Sequence, residues 1–287
     1  MKSLIICSAT WCLLGSLTFT PALANMIQLA DGNSTATIDP YSQSGMNSWV
    51  VDGTNQLNKQ WFWYGIDSGG DLPINSLGTG GGTTLVSSSG SSATLTYARA
   101  NDLSIKVIYT LSGGVPGSGL SDLGELIDIV NISGTTKTLH FFQYSDFNLN
   151  NVPSGDSLSF PDSHTVDQFK GDISLAETMA ETVDTPAASR HEGNYVTASD
   201  AILTRLNSGS ATSLSNLPAI GGASLGPGDM AWAYEWDRTL LPGGELKISK
   251  DKNLTGVLGT VPEPGTLALL GVGAIGLLAY GRRRGKR

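Results

Sequence analysis

Apolar and polar residues alternate one by one along several stretches of the chain, and long stretches with helical periodicity are absent. In residues 104–111 the apolar side chains of Ile105, Val107 and Tyr109 fall on one face of an extended backbone. The same alternation marks three further stretches: residues 125–132, 137–147 and 230–238. Stretches rich in Gly or Ser separate these segments, as turns between strands require. The pattern predicts an all-β chain.

Residues 25–260 are numerous enough for one β-sandwich with a single core. Charged residues make up only 15% of the chain and glycine is abundant, with 36 residues, which is typical of strands joined by tight turns. We therefore predict a single antiparallel β-sandwich, similar to a jelly roll. Residues 125–132 are expected to be covered on both faces, and residues 198–206 to form a short helix.

The densest aromatic stretch of the chain is residues 60–66, with the sequence QWFWYGI. On a strand, Trp61 and Trp63 share one face while Phe62 and Tyr64 share the other. One interpretation is a central strand between two layers, since buried aromatic side chains dominate core energetics. The other is an exposed platform of rings on which a sugar can stack.

The N-terminal segment has the features of a secretory signal peptide. Lys2 supplies a positive charge, residues 4–19 are mostly apolar, and the A-x-A motif of residues 22–24 places a cleavage site between Ala24 and Asn25. Residues 1–24 are thus expected to be removed by signal peptidase after export through the general secretion machinery. Cys7 and Cys12, the two cysteines of the chain, leave with this segment, so the mature protein has no thiol for disulfides or metal ligation.

The body of the chain is strongly acidic. Residues 25–261 contain 11 Lys and Arg against 24 Asp and Glu, a formal net charge of −13. Such a body repels nucleic acid and stays soluble, so no nucleic-acid partner is expected.

Residues 261–287 combine three distinct features. Pro262, Glu263 and Pro264 form a segment that cannot enter a helix or a central strand. An uncharged run then extends from Gly265 to Tyr280 through Leu270 and Gly276, and the basic residues Arg282, Arg283 and Arg284 follow it. At ~1.5 Å per residue a helix over this run spans about 24 Å, short of the ~30 Å hydrocarbon core. The arginines keep their end on the cytoplasmic side, so we predict a single, minimal transmembrane helix.

This arrangement of Pro-Glu-Pro, a short glycine-containing apolar helix and a terminal arginine cluster resembles the PEP-CTERM sorting signal. The resemblance implies export by a Gram-negative cell, a transient inner-membrane anchor, and processing near Pro-Glu-Pro by exosortase, a membrane protease. It further implies delivery to the cell surface or the extracellular polysaccharide matrix of a biofilm. An ordinary C-terminal membrane anchor is the alternative.

Catalytic motifs are missing from the sequence. It has no G-x-S-x-G elbow, H-E-x-x-H zinc motif or P-loop. His140 lies within an alternating stretch and is expected to be packed or at the surface, and His191 and Glu192 are expected in a loop. Glu235 and Asp237 share one face of a strand, about 6.7 Å apart by strand rise, which is within the range of inverting glycosidases. The same pattern is typical of the solvent face of any amphipathic strand, which we favour here.

One stretch resembles the start of a calcium loop. Asp146, Asn148 and Asn150 match the opening D-x-[DN]-x-[DN], whose alternate oxygens converge on a hard cation. Asn151 stands at the glycine position and Ser157 at the position of the bidentate glutamate, which excludes an EF-hand. A looser calcium site or an ordinary polar turn remain as the two interpretations; no other cofactor is expected.

Two functions from different classes fit these observations. The first is a non-enzymatic structural or adhesive component of the extracellular polymer. The second is a carbohydrate-binding or polysaccharide-cleaving domain, in which aromatic rings and carboxylates form a groove. The orientation of the tryptophan side chains discriminates between them, because a stacking platform requires exposed indoles.

Overall fold

The computed structural model of the protein describes residues 26–171 and 177–256. The predicted signal peptide with its cleavage site at Ala24 and Asn25 lies outside these residues. So do the Pro262–Glu263–Pro264 motif, the apolar run containing Gly265, Leu270, Gly276 and Tyr280, and the basic residues Arg282, Arg283 and Arg284. Within the described part of the chain, no helix is long and apolar enough to cross a membrane.

Eighteen strands account for most of the described residues. They are β1 Ile27–Asp31, β2 Ser34–Asp39, β3 Gly45–Val51, β4 Thr54–Asn55, β5 Leu57–Ile66, β6 Leu72–Pro73, β7 Thr83–Ser89, β8 Ser92–Ala98, β9 Leu103–Gly113, β10 Ser121–Asn131, β11 Lys137–Phe147, β12 Asp156–Ser159, β13 Thr165–Lys170, β14 Glu177–Thr185, β15 Arg190–Tyr195, β16 Leu225–Gly228, β17 Met230–Leu240 and β18 Glu245–Thr255. One short helix, α1, covers Ile202–Leu206, and two 3-10 turns cover Ile74–Gly78 and Leu149–Asn151.

The strands form two antiparallel sheets. The first has the order β1-β2-β3-β5-β11-β17-β15, with β4 paired to β3 and β6 paired to β5. The second has the order β16-β12-β13-β14-β18-β10-β9-β8-β7. The prediction of an all-β antiparallel sandwich is confirmed, and with nine strands in each sheet it is larger than an eight-stranded jelly roll.

The core lies between the sheets and draws on both. Phe62 on β5 and Phe141 on β11 stack with their ring centroids 5.7 Å apart, and Ile127 on β10 and Ile248 on β18 lie in the same apolar cluster. The register of β11 with β17 places Phe141 opposite Trp236. Since opposite residues of an antiparallel pair point to the same face of the sheet, these two side chains share one face. The inner face of each sheet is therefore largely apolar.

The outer face of the first sheet is itself partly covered. Trp63 on β5 is fully buried, and its indole Nε1 donates a hydrogen bond to Oδ1 of Asn207, the residue that ends α1. The backbone N–H groups of Thr212 and Leu214 donate to the carboxylates of Asp71 and Glu235. Residues 198–217, which we call the covering segment, thus lie across this face.

Most strand predictions are confirmed. The structure has a strand at each of the four alternating stretches, and the aromatic stretch is the central strand β5, buried on both faces. The predicted helix at residues 198–206 exists in shortened form as α1.

Two expectations were wrong. The outer face of β10 is not covered, since Leu126 is 40% exposed; its apolar residues reflect strand propensity rather than a second layer. His191 and Glu192 lie on strand β15 and not in a loop. This edge strand lacks alternating apolar residues, so periodicity could not reveal it.

Candidate functional site

Two neighbouring strands, β11 and β17, bring a histidine and two carboxylates together on the outer face of the first sheet. The register of β11 with β17 places His140 opposite Asp237, and Glu235 precedes Asp237 by two residues on the same strand. Since successive side chains alternate between faces, all three point outward. We call His140, Glu235 and Asp237 the histidine–carboxylate cluster.

Hydrogen-bonding distances hold this cluster together. Nδ1 of His140 lies 2.6 Å from Oδ1 of Asp237 and 3.9 Å from Oε1 of Glu235. His140 and Asp237 have side chains that are 31% and 34% exposed, so solvent reaches them. The cluster therefore combines an accessible histidine–aspartate pair with a glutamate beneath it.

Glu235 is buried, with 1% of the residue exposed. Its Oε2 accepts a hydrogen bond of 2.7 Å from the backbone N–H of Leu214 in the covering segment. The pKa of Glu235 is raised to about 7, chiefly by burial and also by the neighbouring Asp237, although the bond from Leu214 favours the charged form. The glutamate thus exchanges its proton near neutral pH. The sequence placed Glu235 on a solvent face, which was wrong because the covering segment lies over it.

Asp71 borders the cluster at the β5 side. It is buried, and its Oδ2 accepts a 2.7 Å hydrogen bond from the backbone N–H of Thr212. Burial raises the pKa of Asp71, while its hydrogen bonds with Thr212 and the charge of His140 oppose that rise. Gly65 lies opposite His140, and a Cβ atom at that position would come within 2.8 Å of Oδ1 of Asp71. Glycine at this position therefore leaves room for the buried carboxyl.

The cluster has two chemical capacities. A carboxyl group with a pKa near 7, such as that of Glu235, can donate and accept protons at neutral pH. The ligand atoms of the three side chains also lie within 4.8 Å of one another, and one imidazole nitrogen with two carboxylate oxygens suits a divalent transition ion.

An open cavity of about 350 Å³ lies beside β15, and none of the three cluster residues lines it. Arg190 lines it and also approaches Asp237, with Nε 4.0 Å from Oδ2. Tyr234 also lines the cavity, and among the described residues its buried hydroxyl has no hydrogen-bond partner. The volume is at the lower end of the range for small-molecule sites.

Comparison with known proteins gives a match at the C-terminus. The family model of the PEP-CTERM protein-sorting motif matches residues 260–284. The chain carries a PEP-CTERM sorting signal. The resemblance inferred from Pro262, Glu263, Pro264 and the arginine cluster is thereby confirmed. A PEP-CTERM signal implies export and processing by exosortase. No curated protein sequence matches the chain.

Several solved structures are similar in fold to this PEP-CTERM protein. A bacterial glucoamylase complexed with acarbose has 10% identity and a TM-score of 0.49, covering 85% of this chain and 36% of the glucoamylase. A polysaccharide lyase has 13% identity and a TM-score of 0.46, covering 79% and 33%. A galactose mutarotase-like protein from Lactobacillus casei has 11% identity and a TM-score of 0.45, covering 80% and 100%. The chain thus spans about a third of the length of the first two proteins.

The residues considered for calcium have individual roles in the structure. Asp146 is buried on β11, and its Oδ2 accepts a 2.9 Å hydrogen bond from Asn58. Burial raises the pKa of Asp146 to about 6, which disfavours its charged form. Asn150 has a positive φ of 60° and donates its backbone N–H to Gln56. Asn148 precedes the same turn. These contacts are the ones expected for an ordinary polar turn. The alternative of a looser calcium site stays a prediction.

The other candidate residues are part of the framework. His191 is buried, and its Nε2 lies 2.9 Å from the carbonyl oxygen of Pro218. Glu192 is buried and pairs with Arg205 while accepting the backbone N–H of Ser215 at 2.8 Å. The sequence showed the two residues side by side, but not that the partners of the Glu192 side chain come from the covering segment and that of the His191 ring is Pro218, just after it.

Proposed function

We propose that this exported protein is a non-enzymatic structural or adhesive component of the extracellular matrix or cell surface. One observation carries the proposal: Trp49, Trp61, Trp63, Trp232 and Trp236, the tryptophans of the described residues, are all 0% exposed. Their rings contribute to the core and are not available to stack on a sugar. The sorting signal supports a destination outside the cell, and the acidic body suits a hydrated polymer.

A polysaccharide-cleaving function is the second candidate. The histidine–carboxylate cluster favours it, because burial raises the pKa of Glu235 to about 7 beside Asp237 and because Arg190, which lines the 350 Å³ cavity, approaches Asp237. Against it, the glutamate is bound by Leu214 of the covering segment and is shielded from solvent.

Complementation tests the two candidates against each other. A strain that lacks the protein is expected to form a weakened matrix, and re-expression of the full chain to restore it. A Glu235→Gln, Asp237→Asn double variant should restore it equally well under the structural proposal. Glu245→Gln, at an exposed position of the second sheet, is the matched control.

A direct assay complements this experiment. The exported protein is incubated with the exopolysaccharide of its host, and both sedimentation with the polymer and reducing ends are measured. Sedimentation without new reducing ends is the expected result. Release of sugar by the wild type and the Glu245→Gln control, abolished in Glu235→Gln or Asp237→Asn, would establish an enzyme instead.

A further inference from the structure

Four charged side chains lie between the two sheets, in the middle of the apolar core. They are Glu125 on β10, Glu181 on β14, and Lys250 and Lys252 on β18, and their side chains are 0% exposed. We call them the inter-sheet charge cluster. Removing such ions from water costs several kcal/mol each and is often not repaid by their pairing. The cluster therefore needs an explanation beyond stability from ion pairs.

Lys252 forms an ion pair with each of the two glutamates of the cluster. Its Nζ lies 2.8 Å from Oε1 of Glu125 and 2.9 Å from Oε2 of Glu181. Lys250 makes additional ion-pair contacts, to Oε2 of Glu125 and to Oε1 of Glu181 at 3.7 Å. Because Lys252 already lies between the carboxylates, Lys250 is the lysine that can lose its proton.

Lys250 also reaches the opposite sheet. Its Nζ contacts Oε1 of Gln143 on β11 and lies 5.1 Å from the ring centroid of Phe62. The amide nitrogen of Gln143 donates to Oε2 of Glu181 at 2.7 Å and to Oγ of Ser145 at 3.1 Å. The buried amide is thus fixed with its oxygen at the lysine and its nitrogen at a carboxylate.

The charge state of Lys250 is compatible with reaction. Burial lowers its pKa to about 8, while Glu125 and Glu181 raise it and Lys252 lowers it. A sizeable neutral fraction therefore exists at mildly alkaline pH, and a neutral amine is a nucleophile. Burial raises the pKa of Tyr109 on β9 and of Tyr234 on β17, and the charges of Glu125 and Glu181 respectively add to that rise, so both phenols stay protonated.

We propose that Lys250 and Gln143 form an intramolecular isopeptide bond between the two sheets. The neutral Nζ attacks Cδ of Gln143, a new N–C bond forms, and the Cδ–Nε2 bond breaks with release of ammonia. Glu181 contacts both nitrogens, so it accepts the proton that Nζ loses and delivers it to the departing Nε2. Atoms and charge balance without an oxidant or a further reactant. Exclusion of water from the site suppresses hydrolysis of the amide.

The bond gives this exported chain a covalent cross-link that its cysteine content cannot supply. Cys7 and Cys12 precede the signal cleavage site, so disulfides are not available to the mature body. The isopeptide bond joins residues 107 positions apart in sequence and ties β11 of the first sheet to β18 of the second. It rests on the core geometry alone and is independent of the proposed function.

Peptide mass spectrometry of the purified exported protein tests the proposal directly. We expect a branched peptide that joins the segments containing Gln143 and Lys250, lighter than their sum by about 17 Da, the mass of ammonia. Two separate unmodified peptides would overturn the proposal. A link from Lys250 to Glu125 with loss of about 18 Da, the mass of water, would also overturn it.

Variants test the roles of the individual groups. Lys250→Met should abolish the branched peptide, whereas Lys247→Met, an exposed position on the same strand, should retain it. Glu181→Gln preserves the shape of the side chain but cannot carry the proton, so the rate of cross-linking should fall by roughly 100-fold or more. Cross-linking at the wild-type rate in Glu181→Gln would show that Glu181 does not transfer the proton, contrary to the proposed step. If a variant does not fold, mass spectrometry of the wild-type peptides still shows whether the bond exists.

Discussion

Glu235 shows how one buried carboxyl couples folding to pH. Its pKa rises from an ordinary value of 4.5 to about 7 in the folded protein, chiefly through burial. A carboxyl with a raised pKa favours the native state only while it remains protonated. Its stabilising contribution is complete below pH 4.5 and declines as pH rises from there to about 7, since the unfolded chain ionises first.

Replacement of Glu235 by glutamine should remove this pH dependence. An amide oxygen can still accept the N–H of Leu214 but has no proton to lose. We expect the free energy of unfolding of the wild type, relative to Glu235→Gln, to fall between pH 4.5 and 7. Urea unfolding at several pH values measures it, with Glu245→Gln as the exposed control. Parallel pH profiles for the wild type and Glu235→Gln would contradict the buried, protonated state.

Trp63 provides a test of the aromatic core. Its side chain is fully buried, and its indole N–H bonds to Asn207. Trp63→Ala should lower the free energy of unfolding by about 3–5 kcal/mol, as large truncations in cores do. Leu85→Ala, at a position that is 62% exposed, should change it by only about 0.5 kcal/mol. A similar small effect for both variants would mean that Trp63 is not packed as described.

Individual residues differ in how well the sequence predicts them. The burial of Trp61 and Trp63 followed from the dense aromatic stretch, because such large apolar surface is rarely left in water. The burial of Glu235, Glu125 and Lys250 did not follow, because alternation assigns a charged residue to the solvent face. Their partners lie on strands or segments far away in sequence, and local pattern carries no information about such contacts.

Three carboxylates fix the covering segment onto the first sheet. Asp71, Glu192 and Glu235 accept the backbone N–H groups of Thr212, Ser215 and Leu214 at 2.7–2.8 Å. Hydrogen bonds to charged acceptors are stronger than those between neutral groups. The backbone of a segment with little regular structure is thereby bound at three positions.

Amide hydrogen exchange tests this role of the carboxylates. Glu192→Ala leaves the N–H of Ser215 without its acceptor and also removes the partner of Arg205. Exchange at Leu214 and Ser215 should become about tenfold faster, the effect of ~1.4 kcal/mol on local opening, while amides of β11 and β17 keep their rates. Glu245→Ala is the control. Unchanged exchange at both residues in Glu192→Ala would show that the segment is held by other contacts.

Elements were easier to predict than their arrangement. Alternation located β9, β10, β11 and β17, because each has one buried face. It could not show that β11 lies between β5 and β17, strands that are distant in sequence. The histidine–carboxylate cluster depends on that pairing, since His140 meets Asp237 only through the register of β11 with β17. The strands of the site were therefore predictable, and the site was not.

At the scale of the whole molecule, the body and the sorting signal differ in charge: the β-sandwich is acidic, and the signal that follows it is apolar and then basic. The body carries a formal net charge of −13, whereas the final residues are basic and follow an uncharged apolar run. This contrast suits a protein whose terminal segment stays at the inner membrane while its body is released. The terminal signal was recognisable from sequence because its physical features are contiguous, unlike those of the candidate site.

The exported protein is therefore expected to end near Pro264. The PEP-CTERM motif spans residues 260–284 and includes Pro262 and Pro264, and such a motif implies processing by exosortase, a membrane protease. Mass spectrometry of the released form should show a chain that starts at Asn25 and lacks the apolar run.

Deletion of residues 282–287 removes the positive charges that hold the anchor at the cytoplasmic side, so retention and cleavage should both decline. Replacing Arg282, Arg283 and Arg284 by lysine in the full-length chain preserves the positive charge and serves as the matched control. A released protein that still contains residues 267–287 would contradict cleavage at the sorting signal and favour an ordinary membrane anchor.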